Sequence, residues 1–147
     1  MSNINKYNNL EISILSILLQ KPELMDKLII DDKYFIKQKK IWLFMKSFYK
    51  KFGNFDLNLM FSVCKNKFHL VSYLETLALA EPCISLFEEY QKQLIKEYDE
   101  LKKDKWIREK VYELANDYYM MNLSLNEFKK EIVKTEQKAK EIFKDDN

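Results

Sequence analysis

Gly53 is the only glycine in a chain of 147 residues, and it is joined by just two prolines. Sheets depend on tight turns, and tight turns draw on glycine, proline and asparagine. Helices joined by short polar connections are the architecture that tolerates so little glycine, so the expected fold class is all-α. The same scarcity removes enzyme classes. The phosphate-cradling patterns G-x-x-x-x-G-K-[ST] and G-x-G-x-x-G each require at least two glycines, so nucleotide binding through either loop is excluded.

The length suits one domain, or a globular part with an appendage. Hydrophobic residues make up 47% of the chain, enough to bury a sizeable core. The polar start, Met1 to Asn9, reads as neither a signal peptide nor a membrane span, and a cytoplasmic location is expected. Cys64 and Cys83 then read as thiols in a reducing compartment, with Cys64 on an apolar helical face. The net charge is +2. Its excess sits in the front half, where residues 1–53 carry ten lysines against five acids.

Residues Leu10–Leu19 predict a first helix capped by Asn8 or Asn9. Its apolar residues lie on nearly every side, so it should run through the middle of a bundle. Pro22 suits the first position of a second helix, with Leu24, Met25, Leu28 and Ile29 facing inward. A third helix is expected near Ile36–Phe52, with Ile41, Phe44, Met45, Phe48 and Phe52 as its core stripe and Gly53 as a left-handed C-cap. Asp56 should cap a fourth helix through Leu59, Met60, Val63 and Cys64. A fifth, around Leu70–Ala80, would bury Val71, Leu74, Leu77 and Ala78 before Pro82 ends it.

Ser85–Glu88 has capping-box form and opens a long helix whose apolar stripe slips near Asp104. That slip implies a break or a change of packing partner. Ser124–Glu127 is a second capping box, followed by a regular stripe of Leu125, Phe128, Ile132, Thr135, Ala139 and Ile142. Residues 1–103 thus read as a bundle of five to six short helices, and 104–147 as an antiparallel helical hairpin. A lone hairpin is marginal, and apolar residues at its end and outer side need cover. Tyr118, Met120, Met121, Leu125, Phe128, Ile132 and Phe143 are therefore the candidate self-association residues.

The chemistry of an active site is missing from this pattern. His69 is the single histidine, and with Cys64 it falls short of a zinc set. Nothing flanks Ser62 or Cys64 to activate a nucleophile. The acidic pairs Asp31/Asp32, Glu88/Glu89 and Asp145/Asp146 read as solvated charge. No catalytic residue, metal or cofactor is expected. One surface stands out: Lys39, Lys46 and Lys50 share a side of the third helix, with Leu43 among them and Trp42 and Tyr49 at the edge. No acid interrupts from Lys33 to Asn54. That stripe suits an acidic protein groove or a phosphate backbone; the scarcity of arginine argues for weak or absent DNA binding. A solvated helix back with Trp42 half buried is the plainer alternative.

Read in order, these pieces resemble a family. Asn9-Leu10-Glu11, the run Ile14-Leu15-x-Ile17-Leu18-Leu19 and Pro22-Glu23-Leu24 are similar to the start of bacterial replicative helicases of the DnaB type. Phe35, the Ile41–Phe52 helix, Gly53 and Phe55-Asp56-Leu57 resemble that family's third helix and the loop after it. Tyr73-Leu74-x-x-Leu77-Ala78, Tyr90-x-x-x-Leu94-Ile95-Lys96 and Thr135-Glu136-x-x-Ala139-x-x-Ile142-Phe143 continue the likeness over nearly the whole chain. In place of that family's small residues in the first helix stand Ile12, Ser13 and Ser16. The resemblance implies a collar domain that joins subunits through hairpin contacts and receives primase, with the ATPase motor in a separate domain. The helicase-binding domain of bacterial primases has a similar shape. Replicative helicase or primase as partner, and a homo-oligomer, are the expectations that follow. A stand-alone phage or plasmid accessory factor and a collar piece of a longer helicase both fit, as does a small DNA-binding module using the third helix.

Overall fold

The structure is a computed structural model and describes residues 3–144; the pair Asp145/Asp146 lies outside them. Among the described residues every regular element is a helix, so the all-α expectation is met. No single helix is long and apolar enough to cross a membrane. The chain divides into two compact units, Met1–Glu97 and Tyr98–Asn147.

The first unit is built on α1 (Asn3–Gln20). Ile14, Leu15, Ser16, Ile17 and Leu18 are all fully buried, as a helix apolar on every side requires. It begins at Asn3, well before the expected Asn8 or Asn9 cap. Asn8 is spent elsewhere: its Oδ1 accepts from Gln38 Nε2 at 2.9 Å. The extra turns bury Tyr7, and Glu11 beyond them is buried too. Opposite α1 lies α4 (Phe68–Leu79), and the Ser16 hydroxyl donates to the Leu77 carbonyl at 2.8 Å. Leu70, Leu74 and Leu77 are buried, whereas Ala78 is exposed and Val71 only half-buried, because the inward stripe starts one residue earlier than expected.

Pro22 opens a six-residue 3-10 helix, Pro22–Lys27, instead of the expected α-helix. None of its residues is buried, Ile29 is exposed, and Ile30 takes the core position. The physical cause is Gln91. Its Oε1 accepts the Ile29 N–H at 2.7 Å and its Nε2 donates to the Lys27 carbonyl at 3.4 Å, which holds the strand-like exit at Leu28.

α2 (Lys39–Phe52) starts later than Ile36 because the N–H groups of Ile36, Lys37 and Gln38 are held by the Glu11 carboxylate, at 2.7, 3.2 and 3.2 Å. Gly53 ends α2 at φ 68° and donates to the Tyr49 carbonyl, the expected left-handed cap. Ile41, Met45 and Phe48 are buried; Phe44 is half-buried and Phe52 exposed at the last turn. Asp56 caps α3 (Leu57–Cys64) by accepting the Leu59 N–H at 2.9 Å. Met60 and Cys64 are buried there, whereas Leu59 and Val63 face out.

α5 (Phe87–Tyr119) has no cap from Ser85, which lies in a 3-10 turn, Ile84–Leu86. The Ser85 hydroxyl sits 3.3 Å from the Cys83 sulfur, so the expected capping box is not formed. The helix passes Asp104 unbroken and contributes Phe87–Glu97 to the first unit and the remainder to the second. The second unit is an antiparallel pair, α5 with α6 (Leu125–Ile142). Tyr118 stacks on Phe128 at 5.1 Å near the turn, Trp106 meets Phe143 edge-on at 6.1 Å at the far end, and Ala139 is buried between. Here the capping box is complete: Glu127 N–H donates to Ser124 Oγ, and Ser124 N–H to Glu127 Oε1.

Candidate functional site

On α2, successive residues turn by about 100°, which puts Lys39, Lys46 and Lys50 along one edge of the outward face and Leu43 beside them. Trp42 is not on that face. The residue is 3% exposed, its ring stacks on Phe35 at 4.7 Å, and its indole N–H donates to Asp32 Oδ1 at 2.8 Å. A tryptophan so placed is a core residue and cannot anchor a partner, which corrects the sequence expectation. Tyr49 is half-buried with its ring 5.5 Å from Phe55. Lys46 is also engaged: its ammonium reaches both Asp32 oxygens at 2.9 and 2.8 Å. Lys46 first, and Trp42 second, hold the Asp32 carboxyl below the ordinary carboxylate range. The stripe without acids in sequence has an acid folded against it in space.

Sequence reasoning missed the other edge of the same face. Lys40 and Lys51 lie across Leu43 and Ser47 from Lys39 and Lys50, and both are exposed. Among the described residues Lys39, Lys40, Lys50 and Lys51 form no ion pair. The signal was available in the helical wheel, since five of the fourteen residues of α2 are lysine and none is acidic.

In the sequence Glu11 stands only as the last residue of Asn9-Leu10-Glu11. It is fully buried, and burial pushes its carboxyl up to about 7 against the pull of the three N–H donors. Its partners lie 25 to 27 residues away, so no local pattern announces them. Cys64 is buried, and burial raises its thiol; Cys83 is exposed. His69 stands exposed in the first turn of α4. The 3-10 segment also leaves a groove of roughly 590 Å³, floored by Leu24, Leu28, Ile84 and Phe87 and edged by Lys21 and Glu88.

In the second unit the expected self-association residues separate into two groups. Phe128 and Ile132 are half-buried in the seam, and Phe143 packs on Trp106 rather than facing outward. Tyr118 and Leu125 are partly exposed despite their seam spacing, since they lie beside the turn where the helices end. Met120 stands 60% exposed, Tyr119 82% and Met121 92%. Met121 has φ 64°, and no other non-glycine residue described has positive φ. The turn is a Schellman motif: Asn122 N–H donates to the Asp117 carbonyl at 2.8 Å and Met121 N–H to Tyr118 at 3.0 Å.

No family model, curated protein or solved structure matches this chain.

Proposed function

We propose that the chain is a non-catalytic protein-interaction module of DNA replication that contacts a replicative helicase or primase and associates with copies of itself through its hairpin. The observation that carries the interaction reading is Met121. Glycine is the ordinary occupant of the left-handed position ending a helix, and a methionine there costs on the order of 1 kcal/mol. The left-handed conformation itself closes the two Schellman bonds; what it does not explain is the choice of a bulky apolar side chain at that position. Met121 returns nothing in packing, because its side chain is almost wholly in water beside Tyr119 and Met120. An apolar cluster held in that way suits burial by another polypeptide. The assignment to replication rests on the order and spacing of motifs that resemble the helicase collar.

The test is binding of the purified protein, immobilised at the N-terminus, to purified replicative helicase and primase from a bacterial host. Saturable binding to one of them in the micromolar range, about −8 kcal/mol, is expected of a contact of moderate size. Binding to neither removes the replication assignment.

A further inference from the structure

Among the described residues, α2 presents an outward face made of seven residues: Lys39, Lys40, Leu43, Lys46, Ser47, Lys50 and Lys51. At 100° per residue, Leu43 and Ser47 run down its centre, Lys39, Lys46 and Lys50 lie on one flank, and Lys40 and Lys51 lie on the other. From Lys39 to Lys51 the lysines extend over roughly 18 Å at 1.5 Å per residue. Leu43 is 43% exposed, and only Lys46 has an acidic partner.

We propose that this face is a docking site for an acidic amphipathic helix of a partner protein, laid along α2 with apolar side chains on Leu43 and Ser47 and carboxylates on both lysine flanks. The proposal deepens the interaction reading above and rests on it for the partner's being a protein. The occupant follows from charge and from shape. Two cationic rows bordering a narrow centre of one exposed leucine and one small serine follow the flank-and-seam pattern by which paired helices choose partners of opposite charge. A face on which, among the described residues, four lysines lack an ion-pair partner and only Lys46 is met by an acid, Asp32, remains net cationic; it rejects basic partners through like-charge cost and speeds capture of acidic ones. A phosphate backbone fits less well. Surfaces built for phosphate favour the bidentate guanidinium, and the single arginine of this chain is Arg108, on another helix. The central leucine, moreover, gains nothing against phosphate.

The probe is a labelled synthetic helix with leucine along one stripe and glutamate on both flanks, compared with the same helix bearing lysine in place of glutamate and with a single-stranded oligonucleotide. Fluorescence anisotropy should show saturable binding of the glutamate helix that weakens as salt rises, and no binding of the lysine helix. The double variant Lys40→Glu/Lys50→Glu should weaken that binding by about tenfold or more, since it reverses two charges within a Debye length. Leu43→Ala should weaken it by a smaller factor. Circular dichroism confirms that the variants are folded, and Lys39→Gln/Lys51→Gln gives a milder pair on the same two flanks should charge reversal disturb helicity. Equal binding of the glutamate helix by wild type and variants overturns the proposal, and so does tight retention of the oligonucleotide at physiological salt with a steep salt slope. The helicase and primase assays separate the two levels. Undiminished binding of either partner by the double variant moves that contact off α2 while leaving the replication reading intact. Wild-type protein that takes the glutamate helix but neither replication protein sustains the docking face and sinks the replication reading.

Discussion

Trp42 and Lys46 share one acceptor: both donate to the Asp32 carboxylate, the indole N–H at 2.8 Å and the ammonium at 2.8 to 2.9 Å. The two bonds are unequal in consequence because Trp42 is buried and Lys46 is half exposed. Replacing Asp32 by alanine orphans an indole N–H in the core, which costs roughly 1–3 kcal/mol. Replacing Lys46 by alanine removes an exposed ion pair, worth about 0–1 kcal/mol. Urea denaturation of the two variants should show Asp32→Ala clearly less stable than Lys46→Ala. Equal losses would place Trp42 outside the core.

Glu11 makes stability depend on pH in an uncommon direction. Its folded carboxyl is pushed up to about 7 by burial, above its unfolded value of 4.5, so the folded chain holds this proton more tightly. The stabilisation is fully present below pH 4.5 and is lost as pH rises through 7. With 1.36 kcal/mol per pKa unit the whole span is on the order of 3 kcal/mol. Glu11→Gln imitates the protonated form and cannot ionise. Chemical denaturation at pH 5 and pH 8 should therefore show wild type gaining stability relative to the variant as the pH is lowered toward 5. A wild-type-minus-variant difference that is the same at both pH values would show that the three N–H donors cancel the effect of burial.

Met121→Gly should raise thermal stability. Glycine enters the left-handed region freely, and the relief is worth roughly 0.5–1 kcal/mol. The same change removes the most exposed apolar side chain of the turn, so self-association should weaken as the melting temperature rises. A variant that is both less stable and equally associated would contradict the reading of Met121 as strained for the sake of contact.

What was legible in the sequence was what a few neighbouring residues decide among themselves. Gly53 at a C-cap, Asp56 and Ser124 at N-caps, and the apolar girth of α1 are all set within about one helical turn, and each takes its expected form. The misreadings arise where a side chain has a distant partner. Asn8 serves Gln38 and not its own helix end, Gln91 takes the Ile29 N–H and unwinds the expected second helix, and Ser85 turns toward Cys83. The α2 surface was half legible. Its lysines follow from periodicity, but the burial of Trp42 depends on Phe35 and Asp32, which reach it only through the fold. At the hairpin the spacing placed the seam correctly at Phe128 and Ile132 and could not foresee that Phe143 finds Trp106.

The functional reading stands most directly on the hairpin turn being a contact surface. Sedimentation velocity of the wild-type protein, from about one to several tens of micromolar, spans the range in which a moderate interface populates its complex. The sedimentation coefficient should rise with concentration toward a dimer or larger species, and should shift back toward monomer on replacing Met120 and Met121 by lysine. A wild-type protein that sediments as a monomer throughout that range would contradict that reading.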